Sequence, residues 1–301
     1  MSLKEREIQQ FIKDHAAPED DLQMALGYYE ITPNYSPFKK LARAFRRTPA
    51  AAPGSGSDCY LSVGVDIKRT SPTSPLNVNF DSAGSLATTF AAYGANFIVV
   101  NADYTSYNGD FDDVKSAVGA LKGTNIPVIY KDVVIHPLQV ANAKILGERA
   151  PSLAVPCLAN PITLGCDACH ICASLVGPEL EEILNTGTLM NFPILVEVHT
   201  IAEVTAAVEA GATFIVVNRR DRETLDLFSD QALAVRDLLP PANVLTMLVT
   251  GAIQESECQE LLAAGYDGVL LGAGIIGNPR PEAMIKGIKN LVGGGAEDFL
   301  G

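Results

Sequence analysis

Short apolar runs alternate with amphipathic stretches along most of this chain. The clearest unit is Pro193–Asp221. Pro193–His199 is rich in Val, Ile and Leu and reads as a buried strand. Thr200 then predicts a helix N-cap, with Glu203 as its capping-box partner. Ile201, Val204 and Val208 recur at helical spacing. Gly211 ends the helix, and Thr213–Asn218 is a second apolar strand. Two strands joined by one short helix are parallel neighbours, because parallel pairing needs a crossover.

The same unit repeats. Strands are predicted at Tyr60–Lys68, Asn96–Asn101, Pro127–Asp132, Ala168–Ser174, Pro193–His199, Thr213–Asn218, Val244–Val249 and Gly268–Gly272. Helices are predicted near Ser82–Tyr93, Phe111–Lys122, Pro137–Leu146, Pro178–Asn185, Ala202–Ala210, Asp230–Leu239, Ser256–Ala264 and Pro281–Leu291. Residues 94–101 (GANFIVVN) and 211–218 (GATFIVVN) differ only at their third position, and segments beginning at Gly165 and Gly265 follow the same plan. Each opens with a Gly suited to the left-handed position after a helix. This strict alternation predicts an α/β fold, a (β/α)8 TIM barrel. A doubly wound open sheet is the alternative, but the stretch after the first strand, RTSPTSPLN, is not a dinucleotide fingerprint.

Residues 1–58 precede the repeat and 59–301 make up the barrel. Helices are expected near Leu3–His15 and Pro37–Arg47, the latter with Phe38, Leu41, Ala42 and Phe45 on one side. This extension either packs on the barrel or forms a lid over its mouth. A Pro-rich insertion, GERAPSLAVPCLANPITLG (147–165), breaks the rhythm and reads as an excursion on the outer layer.

Composition narrows the function. The chain has 301 residues, 48% hydrophobic and 19% charged, with no run long enough to span a membrane. Lys plus Arg number 22 against 35 Asp plus Glu, a formal charge of −13. That balance argues against nucleic-acid and anionic-membrane partners. The charged N-terminus lacks a signal-peptide core, so the expected compartment is the cytoplasm, or a plastid if a transit peptide has been removed. The six cysteines, Cys59, Cys157, Cys166, Cys169, Cys172 and Cys258, are expected as reduced thiols. Cys166, Cys169, His170 and Cys172 have metal-like spacing, but alternation along a strand sends Cys169 to the opposite face. Buried thiols, and no metal, are the expectation.

Chemistry in such a barrel gathers at the carboxyl ends of the strands. The first strand presents Asp66 and Lys68, on one side of it. The second presents Asn101 and Asp103, the third Lys131 and Asp132, the fifth Glu197 and His199, and the sixth Asn218 and Arg220. A Lys facing a Glu across one mouth is an acid–base pair in waiting. The last two strands end in Thr250-Gly251 and Gly272-Ala273-Gly274. Small residues there let backbone N–H groups approach a phosphate.

These rim residues carry a resemblance. Asp66-Ile-Lys-Arg-Thr-Ser-Pro-Thr, Pro127-Val-Ile-Tyr-Lys-Asp with Pro137 and Gln139, Leu195-Val-Glu-Val-His, Val217-Asn-Arg-Arg-Asp, and Asp103 with Tyr107-Asn-Gly109 resemble the motifs of indole-3-glycerol phosphate synthase in order and spacing. The resemblance covers roughly residues 60–295. It implies a carboxy-lyase of tryptophan biosynthesis that closes an anilino-deoxyribulose phosphate to an indole, losing CO2 and water, without a cofactor. It implies Lys131 as general acid on the ketone, Glu197 as its partner in later proton transfers and dehydration, Lys68 as the holder of the substrate carboxylate or phosphate with a share in the acid role, Asp66 as a further catalytic residue, and Asn218 as an orienting amide. It implies substrate or phosphate contacts at Ser71, Arg220, Thr250, Gly251, Gly272 and Ala273. The partner so implied is a small phosphorylated molecule.

The chain departs from that pattern in places. Asp66 stands where the family has Glu, Val249-Thr250-Gly251 where it reads Glu-Ser-Gly, Ala273 where a Ser is usual, and SPTSP where it has SPSKG. These departures keep an alternative open: a catalytically impaired or repurposed barrel, acting as a binding or assembly subunit with a protein partner.

Overall fold

The computed structural model describes residues 9, 18–29, 37–45, 61–71, 74–77, 80–145, 165–218, 234–249 and 253–291. Eight parallel strands close into a barrel: β1 (Ser62–Ile67), β2 (Phe97–Asn101), β3 (Val128–Lys131), β4 (Ala168–Cys172), β5 (Ile194–Val198), β6 (Phe214–Asn218), β7 (Val244–Val249) and β8 (Gly268–Leu271). Each pairs in parallel with its sequence neighbours, and β8 pairs back onto β1. This is the expected (β/α)8 barrel. Every predicted strand is present, within two residues of its expected ends.

Alternation along the strands sorts the core into two parts. Val63, Val65, Ile98, Val100, Ile171, Val196 and Met247 face the helices. Phe97, Val99, Ile129, Ala168, Leu195, Val216, Leu248 and Leu270 fill the barrel itself. The repeat glycines do what their position predicts. Gly94, Gly165, Gly211 and Gly265 all have positive φ, between 65° and 102°, and turn the chain into the next strand. Gly64 has a different role. It lies in register with Phe97, and a Cβ there would overlap the Phe97 ring.

The barrel is closed at its amino-terminal end by a helix from the extension. Helix α1 (Pro18–Tyr29) packs outside, against Pro137–Ile145. Helix α2 (Pro37–Ala44) lies across the strand starts. Its Leu41 is fully buried, and the Phe45 ring centroid sits 4.9 Å from that of Phe97 and 6.1 Å from that of Phe214. Polar contacts fix the same placement. Ser62 Oγ donates to the Ala44 carbonyl at 2.9 Å, and Lys40 Nζ pairs with Asp167 at 2.8 Å. Helix α2 is thus a floor to the barrel rather than a lid over its mouth. The helix expected near Leu3–His15 and the 147–164 stretch of the insertion lie outside the described residues.

Three local features differ from expectation. The chain after β1 forms a small antiparallel ladder, Thr70–Ser71 with Ser74–Asn77. The helix expected at Pro178–Asn185 comes in pieces, Ala173–Val176, a 3-10 turn at Gly177–Glu179 and Leu180–Leu189, because Gly177 takes a φ of 67° and Pro178 follows it. Of the helix expected at Asp230–Leu239, the described part is a single 3-10 turn, Val235–Leu238. Arg236 closes that turn by donating to the carbonyls of Pro240, Pro241 and Asn243.

Candidate active site

The carboxyl end of the barrel holds a buried network of charge. Lys131 ends β3 and Glu197 is the fourth residue of β5. The apolar residues before each force the strand register, so both side chains point into the mouth. Lys131 Nζ lies 2.8 Å from Glu197 Oε2. Asn218, ending β6, donates through Nδ2 to Glu197 Oε1 at 2.9 Å. His199 Nε2 is 3.4 Å from the same oxygen. His170, from β4, places Nε2 3.0 Å from Oε2. One carboxylate therefore sits among an ammonium, an amide and two imidazoles.

A second pair lies beside the first. Asp66 is fully buried, and its Oδ2 is 2.7 Å from Lys68 Nζ. Its other oxygen, Oδ1, has no hydrogen-bond partner. Lys68 also stands 5.5 Å from the centroid of the Tyr107 ring. Two cations and two anions thus share the mouth, which is how buried charges are tolerated.

These neighbours set the protonation states. Burial alone would raise the Glu197 pKa, but Lys131, His170 and His199 outweigh it and hold the carboxyl well below its usual range. Burial would lower the Lys131 pKa, but Glu197 and Asp66 reverse this and keep the ammonium charged. His170 moves the other way. Burial, reinforced by the Lys131 charge, depresses its pKa and favours the neutral ring. Tyr107 is pushed up to about 12, chiefly by burial, and stays a neutral phenol. The site therefore presents a proton donor and a fixed anion side by side at neutral pH.

The loops around the mouth are tied down. Arg69 makes a bidentate pair with Asp113, at 2.8 and 2.5 Å, and stacks on Phe80 with its guanidinium 4.3 Å from the ring centroid. That anchors the chain just before Ser71. After β2, Asp103 Oδ1 caps the short helix Tyr104–Tyr107, accepting from Thr105 N and Ser106 N. Gly109 then passes so close to the Asn101 carbonyl that no Cβ would fit. After β8, Gly272 donates its N–H to the Val249 carbonyl at 2.7 Å, and Ala273 is buried.

A family model of indole-3-glycerol phosphate synthase matches residues 55–288. The chain belongs to this family. Indole-3-glycerol phosphate synthase of Mycolicibacterium gilvum is 31% identical over 225 residues, 75% of each chain. That of Mycobacteroides abscessus is 31% identical over 222 residues, covering 73% of this chain and 74% of the other. At the level of fold alone, the chain is similar to thiamine phosphate pyrophosphorylase from Pyrococcus furiosus, with a TM-score of 0.52 at 11% identity over 78% of this chain and 96% of that one.

Of the residues that the resemblance to indole-3-glycerol phosphate synthase singles out, Lys131, Glu197 and Asn218 form one hydrogen-bonded group, and Asp66 and Lys68 form a second. Ser71 belongs to the ladder after β1, and Gly272 and Ala273 stand at the end of β8. Arg220, Thr250 and Gly251 lie outside the described residues. Val249, where the family reads Glu, packs with Leu245 and Met247 in the outer core. Sequence reasoning passed over His170, Cys172 and Tyr107 as members of the mouth. The signal for the first two lies in the strand register. His170 lies in register with Lys131 and Cys172 with Glu197, so each must share its partner's inner face.

Proposed function

We propose that this member of the family is a working indole-3-glycerol phosphate synthase, with Lys131 as its general acid. The substrate is an anilino-deoxyribulose phosphate. Its ring carbon bearing the carboxylate attacks the ketone carbon. A C–C bond forms, the carbonyl oxygen takes a proton from Lys131, and CO2 then leaves to restore the ring. The new hydroxyl departs as water, and loss of a proton completes the indole. Glu197 accepts and returns protons in these later steps, and Asn218 keeps its carboxylate aimed. Lys68, held by Asp66, binds the substrate carboxylate. Ser71, Arg220, Thr250, Gly251, Gly272 and Ala273 are the proposed contacts to the substrate and its phosphate.

The observation that carries this reading is the Lys131–Glu197 pair at 2.8 Å, with Asn218 on the other carboxylate oxygen. It supplies a charged acid, a fixed anion and an orienting amide at the end of the barrel where reacting groups gather. The thiols of Cys166, Cys169 and Cys258, none in a disulfide, fit a reducing compartment such as the cytoplasm. Among the described residues, no helix is long and apolar enough to cross a membrane.

The test is direct. The chain has no Trp, so an indole product stands out in fluorescence against the protein. Product formation by the purified chain supports the synthase reading. No turnover from folded protein at high enzyme concentration refutes it and favours a repurposed barrel.

A further inference from the structure

We propose that Cys172, Glu197 and His199 form a binding site for a borderline-soft divalent cation such as Zn2+, and that filling it draws Glu197 away from Lys131. The three residues each offer one ligand atom, and these atoms all lie within 4.8 Å of one another. His199 meets the other two through opposite ring nitrogens, Nδ1 at 4.0 Å from Cys172 Sγ and Nε2 at 3.4 Å from Glu197 Oε1, so a single cation would use one of them. In a tetrahedral zinc site, bond lengths of about 2.0–2.3 Å put neighbouring ligand atoms roughly 3.3–3.7 Å apart. From a spread of up to 4.8 Å, a rotation of the His199 ring with an inward turn of the other two side chains would close the difference of about 1 Å.

The fold brings the three together. Cys172 and Glu197 face each other in register on β4 and β5, and His199 follows Glu197 by two residues, on the same side. The donor set, one sulfur, one nitrogen and one carboxylate oxygen, suits zinc and neighbouring transition metals rather than Mg2+ or Ca2+. A thiolate and a carboxylate would balance the charge of a divalent ion.

A second observation points to the same place. His170 is completely buried, and its Nε2 is 3.0 Å from Glu197 Oε2. Apart from that one contact with the carboxylate, the buried imidazole has no hydrogen bond at Nδ1, which is costly. Lying against the Glu197 carboxylate, it could turn in as a fourth ligand. The Cys-x-x-Cys spacing in the sequence is not this site. Cys166 and Cys169 lie in the outer core with the helix-facing residues.

The consequence for turnover follows from competition. Lys131 and the cation would claim the same carboxylate, so metal would inhibit the acid–base pair. Binding itself does not depend on the synthase reading; inhibition does, so the two are measured separately. Chelator-treated protein is titrated with CoCl2 while the cobalt–thiolate charge-transfer absorption is followed, and ZnCl2 is then used to displace it. Turnover is measured on the same samples.

The expected result is a saturable band that Zn2+ displaces. Cys172→Ser abolishes the band and weakens Zn2+ binding by about tenfold or more. The ratio of its turnover with and without added Zn2+ stays near one, where that of wild type falls. His199→Gln retains thiolate absorption but binds more weakly. Circular dichroism confirms that each variant is folded. A band that survives in Cys172→Ser, or no saturable band from folded wild type, overturns the proposal. A band lost in Cys172→Ser, from a wild type that shows no turnover, supports the metal site and overturns the synthase reading alone.

Discussion

Gly64→Ala adds one methyl group to the barrel interior. The position is fully buried in β1, and the new Cβ overlaps Cε2 and Cζ of Phe97 and stands 2.7 Å from Cδ2. Phe97 cannot step aside. It is fully buried, and its other side packs on Phe45, with ring centroids 4.9 Å apart. Overpacking of this kind costs about 1–3 kcal/mol. Gly64 does not have a positive φ, so nothing in the backbone opposes Ala. Without Phe97, the substitution would stabilise the strand by about 0.5–1 kcal/mol. The effect should therefore change sign in a Phe97→Leu background, which lacks the ring atoms that clash. The two substitutions should couple by about 2 kcal/mol. Urea unfolding followed by circular dichroism reads this as a shift in midpoint at constant slope. A Gly64→Ala protein as stable as wild type would refute the packing argument. So would an equal loss in the Phe97→Leu background.

Further expectations follow from the floor and the mouth. Phe45→Ala removes the ring that links α2 to Phe97 and Phe214, and should cost about 3–5 kcal/mol in the same unfolding assay. Asn218→Ala removes a hydrogen bond to an ionised carboxylate, worth about 1.5–3 kcal/mol. It should lower kcat roughly tenfold to a hundredfold and lower the melting temperature as well. Burial tends to raise the Asp66 pKa, but Lys68 and Lys131 more than reverse this, so its folded value lies below the unfolded one. Its contribution to stability is then complete above the unfolded pKa of about 4 and is lost as pH falls through the folded value. Thermal melts below about pH 4 should fall more steeply for wild type than for Asp66→Asn. That variant should already be about 3–5 kcal/mol less stable at neutral pH, with Lys68 left buried beside a neutral amide.

The barrel was legible in the sequence because its signals are local. Apolar runs mark the strands, and the glycines at 94, 165, 211 and 265 mark the turns into them. Lys131, Glu197 and Asn218 were legible as one group because each ends or nearly ends an apolar strand, and a parallel barrel brings such ends together. What could not be read depends on docking. The composition of 37–45 shows an apolar face, but only packing against Phe97 and Phe214 makes it a floor. The division between extension and barrel rests on composition for residues 46–60, which lie outside the described part. His170 was hidden for a different reason. A single His on a strand says nothing until register places it beside Lys131 and under Glu197. The ladder after β1 escaped notice because its two short arms carry no periodic pattern, and Arg69, which anchors it, finds Asp113 across 44 residues of sequence.

The central claim is that Lys131 donates the proton that drives ring closure. Steady-state formation of the indole product should be compared between wild type and Lys131→Ala. The account predicts a fall in kcat of about 10²–10⁴-fold, with the variant still folded and still binding substrate. Turnover in Lys131→Ala within a few-fold of wild type would contradict it.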